Sequence, residues 1–220
     1  MNNLFAAGGS PDAEPRRYYL NRAMTKRLVL ATNNIHKVTE IQEILEGLAI
    51  EIRSASDFHD FPKVEEIGKT LEENAILKAT AVWQKYGFPS LADDTGLEVD
   101  YLGGAPGVYS ARFAGPECSF DDNNRKLLGL LKGVGQEKRT AVFKTAIAFA
   151  DGMGTIHTVE GTLEGYIGFE ARGNFGFGYD PIFVVGRRTL AELTPVEKHR
   201  ISHRSAALRR IKPIIVKAFS

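Results

Sequence analysis

The chain has only one cysteine, Cys118, among its 220 residues. It can therefore form no internal disulfide and no metal site built from several thiolates. Its apolar runs are all shorter than the roughly 18 residues that indicate a membrane-spanning helix. Its 28 basic and 27 acidic residues leave a formal charge of only +1, so no overall field attracts nucleic acid or an anionic membrane. An anionic ligand would have to be held by a local cluster of cations, and the cytoplasm is the expected location.

The remaining composition is that of an ordinary globular protein, with 43% hydrophobic and 25% charged residues. Residues 1–23 differ, because they contain Gly-Gly-Ser-Pro and Glu-Pro breakers and show no sustained periodicity. A second methionine, Met24, stands just before the first convincing strand. We interpret residues 1–23 as a flexible leader, an upstream start or a cloning remnant. Residues 24–220 are expected to form a single domain with two lobes.

A polar loop follows the first apolar run, RLVLA at residues 27–31, which predicts a buried strand. An amphipathic helical pattern begins directly after the loop, so the loop leads to a helix N-terminus. Free N–H groups and the helix dipole favour phosphate at such a position. Thr32, Asn34 and Lys37 would offer a phosphate a hydroxyl, an amide and a cation. The alternative is that Thr32 or Asn33 only caps the helix and that Lys37 is solvated.

Two adjacent carboxylates, Asp93 and Asp94, follow a short apolar stretch and precede a Thr-Gly pair that predicts a turn. Neighbouring side chains on a strand point to opposite faces, so one carboxylate should face the interior and the other an open site. Glu66 precedes a helix predicted over residues 71–86 and is expected at the same end of the sheet as Asp94. Two such carboxylates suit a magnesium site that substrate phosphates complete. Ordinary turn chemistry remains the alternative for the Asp-Asp-Thr-Gly segment.

Residues of that helix and of a later glycine-rich segment extend the candidate site. Asn74 and Lys78 lie four residues apart on one helical face and could reach the cleft, or could be ordinary helix surface. Residues 173–183, GNFGFGYDPIF, alternate glycines with aromatic rings that suit stacking on a flat heterocycle. Asp180 is placed there to accept hydrogen bonds. Alternatively, the phenylalanines fill the seam between two lobes.

Three basic residues, Lys198, His203 and Arg204, cluster around the start of a C-terminal helix that Ser202 caps. Cations at this position oppose the helix dipole, so helix stability does not explain them. They would suit an anion or the acceptor atoms of a purine. The same basic run could contact nucleic acid, so a non-catalytic nucleotide-binding or RNA-binding protein is the alternative function.

The order of the elements predicts an α/β fold. Residues 140–150 and 155–165 have alternating, β-branched patterns that predict an antiparallel hairpin. The expected fold is a mixed, mostly central β-sheet flanked by helices, with two lobes and an active-site cleft between them.

Five ordered segments, TNNIHK, EEIGKTLEENAILKA, LADDTGLEVDYLGGAPGVYSARFAG, GFGYDPIF and ISHR, resemble signature segments of the inosine triphosphate pyrophosphatase family, which acts on noncanonical purine nucleotides. The resemblance extends from about Lys26 to the C-terminus. It implies a Mg2+-dependent homodimeric hydrolase that converts ITP, dITP and XTP to the nucleoside monophosphate and pyrophosphate. The related septum-inhibitor type, which acts on pyrimidine or modified nucleotides, is a second enzymatic alternative.

The resemblance also implies residue roles. Glu66 and Asp94 correspond to the metal ligands, and Asp94 also corresponds to the general base. In the phosphate loop, Thr32, Asn34 and Lys37 correspond to substrate-binding positions. Asn33, Ile35 and His36 lie in the same loop and are also expected to border the substrate, although Asn33 and His36 stand where other members often have smaller residues. The other corresponding positions are Thr95, then Phe177, Gly178, Tyr179 and Asp180 against the base, and Lys198, His203 and Arg204 at its 6-keto edge. Supporting roles are expected for Asn74, Lys78 and Asp93.

Overall fold

The computed structural model describes residues 26–220, and the predicted leader, residues 1–23, lies outside them. In this part of the chain a central sheet has eight strands: β1 (Arg27–Leu30), β2 (Glu51–Arg53), β3 (Ser90–Val99), β4 (Pro106–Gly107), β5 (Thr140–Ala150), β6 (Ile156–Ile167), β7 (Phe183–Val185) and β8 (Arg188–Thr189). The strand order is β2-β1-β3-β5-β6-β7-β8, with β4 paired to β3. β1 is parallel to both neighbours and the other pairs are antiparallel. The predicted mixed α/β fold and the β5–β6 hairpin are confirmed.

The α-helices of the described residues are α1 (Ile35–Leu45), α2 (Leu71–Tyr86), α3 (Phe120–Leu130), α4 (Pro195–Ile201) and α5 (His203–Ala218). α2 has the predicted bounds. Thr70 caps it by accepting a hydrogen bond from the Glu73 backbone N–H at 3.1 Å, and Gly87 ends it with a left-handed φ of 68°. α5 includes Pro213 and does not end there. Across residues 26–220, no helix combines the length and the apolar character needed to cross a membrane.

The predicted turn at Asp-Asp-Thr-Gly is wrong, because this segment lies in the middle of β3. The strand pairs with β5 continuously from Ser90, opposite Ala150, to Val99, opposite Ala141. Gly96 permits this path, since a Cβ there would lie only 2.7 Å from the carbonyl oxygen of Gly107 in the adjacent β4. The acidic pair is therefore held by a long central strand and not by a loop.

The two faces of the sheet carry different apolar clusters, and this difference separates the two aspartates. On one face, α1 and α5 pack on large side chains of β1, β3 and β5, including Leu30, Leu91 and Phe149. On the other face, α2 packs on small residues, including Ala92 and Ala148. Because side chains alternate along β3, Asp93 lies on the face covered by α1 and α5, and Asp94 lies on the face covered by α2.

A third apolar cluster fills the other end of the molecule, around α3, β7 and the C-terminal parts of β3 and β6. Its buried members include Leu97, Leu127, Ile167 and Phe183. Close packing continues where α5 crosses β6, because a Cβ at Gly161 would overlap the carbonyl oxygen of His203. The glycine therefore sets how closely the first turn of α5 approaches the sheet.

Candidate active site

A cleft of about 330 Å³ is lined by residues from both faces of β3, including Asp94 and Thr95, and by residues at the start of α5. Its size is in the range of small-molecule sites. Most of the residues predicted for the site line it: Thr32, Asn33, Asn34, Lys37, Glu66, Lys78, Asp94, Thr95, Phe177, Gly178, Tyr179, Asp180, Lys198, His203 and Arg204. The other predicted residues, Ile35, His36, Asn74 and Asp93, adjoin these in sequence or contact them.

Glu66 and Asp94 come together at one positive charge. The ammonium Nζ of Lys78 lies 3.2 Å from Oε1 of Glu66 and 2.8 Å from Oδ1 of Asp94. Asn74 donates a hydrogen bond of 3.2 Å to Oδ2 of Asp94. Its own Oδ1 accepts the backbone N–H of Gly68 at 2.8 Å, which ties the loop that carries Glu66 to α2. The predicted convergence of the two carboxylates is therefore present in the structure.

The two carboxylates differ in electrostatic environment. Burial raises the pKa of Asp94 above its ordinary value, although Lys78 and Lys37 act in the opposite direction. Burial also acts to raise the pKa of Glu66, but the charge and hydrogen bond of Lys78 outweigh it and the pKa falls. Glu66 also accepts a hydrogen bond of 3.2 Å from Arg112. Asp94 is therefore the better proton acceptor of the two.

The loop between β1 and α1 is built around the Asn34 side chain. Asn34 Oδ1 accepts the backbone N–H groups of His36 at 3.0 Å and Lys37 at 3.3 Å, so Asn34 is the helix cap. Thr32 accepts the backbone N–H of Asn34 at 3.2 Å. Lys37 is not solvated, since its Nζ lies 3.2 Å from Oδ2 of Asp93. The loop thus combines a helix N-terminus with a cation held at the base of the cleft.

Asp93 points away from Asp94 and is fully buried. The guanidinium of Arg204 and the ammonium of Lys37 both approach its Oδ2, and Thr95 donates to the same oxygen at 3.2 Å. Burial alone would raise the pKa of Asp93, but Lys37 and Arg204 hold it far below its ordinary value. Asp93 is therefore a permanently charged anchor for these cations.

The basic cluster at the start of α5 is neutralised from within the protein. Lys198, on α4, lies 2.8 Å from Oε1 of Glu40 and 2.6 Å from Oδ2 of Asp180. Arg204 pairs with the other oxygen of Glu40 and with Asp93. The inference that stability does not explain these cations is wrong, because they balance three buried carboxylates. Their side chains nevertheless border the cleft.

His203 is a neutral member of this cluster. Burial, together with the positive charges of Arg204 and Lys198, lowers its pKa well below the ordinary value. Its ring stacks on Phe143, with centroids 4.5 Å apart and planes inclined by 12°. Its buried Nδ1 has no hydrogen-bond partner among the described residues. A neutral imidazole with an unused nitrogen in a cleft can donate to, or accept from, a ligand atom.

Aromatic rings form one edge of the cleft. The His36 ring stacks on Phe177, with centroids 5.0 Å apart and planes inclined by 15°, and Phe120 lies 6.0 Å from Phe177. The Lys198 ammonium lies 4.9 Å from the centre of the Phe177 ring. Tyr179 is anchored by donating its hydroxyl proton to the Ser110 carbonyl at 2.8 Å. The Phe177 ring is therefore presented at the cleft and does not simply fill a seam between lobes.

Several residues of this site were not found from the sequence. Glu40 forms ion pairs with both Lys198 and Arg204. In the sequence, the only indication that Glu40 is buried is its place next to Ile41, an apolar residue on the inward face of α1. Phe120 and Asn123 line the cleft from the first turn of α3. Phe120 lies within a recognisable Ser-x-x-Asp capping box and Asn123 directly after it; the box predicts the helix but not the face that meets the cleft.

The donor set at Glu66 and Asp94 is small. Within residues 26–220, no group of three or more His, Cys, Asp and Glu side chains is arranged to hold a metal unaided. Mg2+, however, is commonly held by one or two carboxylates together with substrate phosphates and water. The two carboxylates already face a single positive charge on Lys78. They therefore fit a hard divalent cation whose remaining ligands come from a phosphorylated substrate.

Comparison with known proteins gives matches that include every segment lining the cleft. The sequence profile of the Ham1 family matches residues 28–214. A dITP/XTP pyrophosphatase of Desulforamulus reducens is 51% identical over 191 residues, 86% of this chain and 95% of that protein. A dITP/XTP pyrophosphatase of Thermoanaerobacter pseudethanolicus is 48% identical over 193 residues, 87% and 97% of the two chains. The structure of a HAM1 protein from Coxiella burnetii is similar with a TM-score of 0.78 and 40% identity, covering 87% of this chain and 98% of that chain.

Proposed function

The chain belongs to the Ham1 family, and from this we propose that it hydrolyses noncanonical purine nucleoside triphosphates, namely dITP, ITP and XTP. The products are the nucleoside monophosphate and pyrophosphate, so the reaction removes these nucleotides from the pool. One observation carries the proposal for this chain. Glu66 and Asp94 converge in a cleft that continues to an aromatic ring and buried hydrogen-bond donors.

The proposed chemical step is attack of a water oxygen on the α-phosphorus. The bond between that phosphorus and the α–β bridging oxygen breaks, and pyrophosphate leaves with the bonding electrons. Asp94 accepts the proton of the attacking water, a role favoured by its raised pKa and its position at the cleft. Lys37 and the N–H groups at the start of α1 would hold the phosphates. Thr32, Asn34 and Thr95 border the same region.

We assign the metal site to Glu66 and Asp94, which would hold Mg2+ together with oxygens of the triphosphate. When bound, the ion would offset the negative charge of the phosphate oxygens and assist the displacement. Asn74 keeps Asp94 oriented through its hydrogen bond of 3.2 Å. Asn74 thus has a supporting role and needs no direct contact with substrate.

The purine would occupy the end of the cleft formed by Phe177 to Asp180 and the start of α5. Phe177 offers a ring face for stacking. Lys198, His203 and Arg204 carry the N–H groups that would meet a 6-keto oxygen. Adenine has an amino group at that position, and an amino group donates hydrogen bonds as these side chains do. Binding of adenine would therefore leave buried N–H groups without an acceptor. This mismatch accounts for selection against ATP.

The proposed assembly and location rest on the family alone, whereas the proposed single domain also has support from the sheet. We propose one two-lobed domain over residues 24–220, assembled as a homodimer and located in the cytoplasm, where nucleotide pools are found. The single sheet that runs through residues 26–220 supports treating this part of the chain as one unit.

The alternative of RNA binding through the C-terminal basic cluster is disfavoured by burial. Lys198 is 4% exposed and Arg204 is 2% exposed, and both are paired with carboxylates. Polynucleotide binding relies on cations that solvent and phosphate backbones can reach. These two side chains are available to a small ligand inside the cleft but not to a strand lying on the surface.

A nucleotide panel with separate detection of pyrophosphate and orthophosphate tests the function. We expect pyrophosphate, and kcat/KM for ITP, dITP and XTP at least about tenfold above ATP and GTP, or roughly 1.4 kcal/mol in transition-state stabilisation. Equal rates on all purine triphosphates would remove the proposed specificity. Preferred cleavage of pyrimidine nucleotides would favour the septum-inhibitor type of activity. Salt-sensitive polynucleotide binding without pyrophosphate release would favour the non-catalytic alternative.

A further inference from the structure

Lys78 occupies a position that a metal ion would need. Its ammonium lies 3.2 Å from Oε1 of Glu66, 2.8 Å from Oδ1 of Asp94 and 2.8 Å from the backbone carbonyl of Asp93. Its side chain is only 13% exposed, so it has little access to water as an alternative partner. Three oxygens from two separate segments thus surround one positive charge.

We propose that Lys78 is an internal cation that closes the dicarboxylate site to metal until nucleotide binds, so that metal and nucleotide enter as a pair. The inference rests on the proposed function and goes beyond it, because it assigns Lys78 a state-dependent role. An ammonium and a divalent ion cannot share the space between Glu66 and Asp94. A metal that bound without nucleotide would displace the Lys78 ammonium from Glu66 and Asp94, and the ammonium would then have no anionic partner in the cleft.

A bound triphosphate supplies that anion. Lys37 and Lys78 both contact the Asp93 carbonyl, at 3.5 Å and 2.8 Å, so the two ammonium groups already converge beside the phosphate loop. Rotation of the Lys78 side chain away from Glu66 would place its charge next to phosphate oxygens. The carboxylates would then be free to hold the metal, and no buried charge would be left unpaired. The exchange keeps the charge of the site balanced at each stage.

This arrangement predicts thermodynamic coupling. If nucleotide raises the affinity for metal, metal must raise the affinity for nucleotide by the same factor. We expect a factor of at least about ten in the wild-type protein, within the range of known coupling between sites. The binding of Mn2+ by the whole protein, measured by calorimetry or electron paramagnetic resonance, gives this factor without turnover. The non-hydrolysable probe is ITP with a methylene group between the α- and β-phosphates.

The decisive variant is Lys78→Met, and Lys37→Met is its matched control. Both substitutions remove one ammonium from the same region, but only Lys78 lies between Glu66 and Asp94. We expect Lys78→Met to bind Mn2+ at least about tenfold more tightly than wild type without nucleotide, and to show a smaller coupling than wild type, the remainder coming from phosphate oxygens that coordinate the metal. Lys37→Met should tighten Mn2+ binding much less, through the loss of general repulsion alone.

Two results would overturn the inference. The first is an equal tightening of Mn2+ binding in both variants, or none in either. The second is a wild-type protein that binds Mn2+ equally well with and without the nucleotide analogue, a measurement that does not depend on any variant folding. Pyrophosphate release by the wild-type protein is measured separately. Its failure would remove the proposed function, whereas normal release without coupling would remove only the role of Lys78.

Discussion

The guanidinium of Arg204 grips the carboxylate of Asp93, with Nε and Nη2 both 3.0 Å from Oδ2. The pair joins the first turn of α5 to the middle of β3, and neither residue is more than 2% exposed. Lys37 supplies a second cation 3.2 Å from the same oxygen. The next residue along the strand, Asp94, faces the cleft. One strand therefore carries a structural carboxylate and the proposed general base side by side.

Replacing Asp93 with asparagine should chiefly reduce stability. The change leaves Arg204 and Lys37 buried without their shared carboxylate, and breaking a buried ion pair costs about 3–5 kcal/mol. Urea denaturation at neutral pH measures the loss in the free energy of unfolding. Asp94→Asn is the matched control, and it should lose less than half as much because Lys78 keeps Glu66 as a partner. Equal losses in the two variants would contradict the separation of roles.

Replacing Asp94 with asparagine should abolish turnover while the protein stays folded. An amide cannot accept the proton of the attacking water, and general base catalysis contributes roughly 100- to 10,000-fold. The measurement is kcat for pyrophosphate release from ITP, with circular dichroism to check the fold. An Asp94→Asn protein that remained active and metal-dependent would show that another group takes the proton.

Acidification should destabilise the protein through His203. The pKa of His203 is lowered by burial and by nearby cations, so below about pH 6.5 the unfolded chain binds a proton that the folded protein does not. The stability contributed by neutral His203 is therefore complete above that pH and is lost as the pH falls. The slope is at most about 1.4 kcal/mol per pH unit.

Urea titrations between about pH 7.5 and pH 5 on wild type and His203→Gln test this, since glutamine does not titrate. The variant should show the shallower dependence of its unfolding free energy on pH. The pKa values of Asp93 and Glu40 are lowered by their cations despite burial. The stability that these two carboxylates contribute is therefore lost only when the pH falls below the ordinary carboxyl pKa, outside the range of this titration. Parallel curves for the two proteins would exclude His203 as the source of the effect.

Removing the His36 ring should weaken nucleotide binding more than catalysis. The stacked His36–Phe177 pair fixes the ring proposed to face the base, and such pairs contribute about 0.5–1.5 kcal/mol. We expect His36→Ala to raise KM for ITP by about two- to tenfold with little change in kcat. His59→Ala removes an exposed histidine outside the cleft and is the control. A fall in kcat without a change in KM would indicate a different role.

The parts of the fold that the sequence predicts well have local causes. α2 begins and ends as expected because Thr70 caps it and Gly87 adopts the left-handed conformation that ends it. The Thr-x-x-Glu pattern at Thr70 and Glu73 forms only half of a capping box, since Glu73 accepts the backbone N–H of Lys69 instead of that of Thr70. The β5–β6 hairpin follows from alternating side chains on both strands. α4 was missed although its signals are local: a Thr194–Glu197 capping box and Pro195 in the first turn.

The parts that were missed depend on partners far away in the chain. The local preference of Asp-Asp-Thr-Gly for a turn is overridden by two long-range contributions. These are continuous pairing of the segment with β5 and ion pairs with cations from α1, α2 and α5. The basic residues at the start of α5 were interpreted without Glu40, which lies 158 residues before Lys198 and 164 before Arg204. Sequence spacing indicates which residues share a helix face, but it does not reveal which charges meet across the fold.

The burial of β3 on both faces has a consequence for how the protein must fold. Its large apolar side chain Leu91 faces α1 and α5 and its small neighbour Ala92 faces α2, so an alignment with β5 shifted by a single residue would mismatch the packing on both faces. Such a shift would exchange the surroundings of the two aspartates, turning the anchor toward the cleft and the proton acceptor toward Arg204. Only the native alignment gives each acid its own partners, so the ion pair between Arg204 and Asp93 adds an electrostatic preference for that alignment to the preference set by packing.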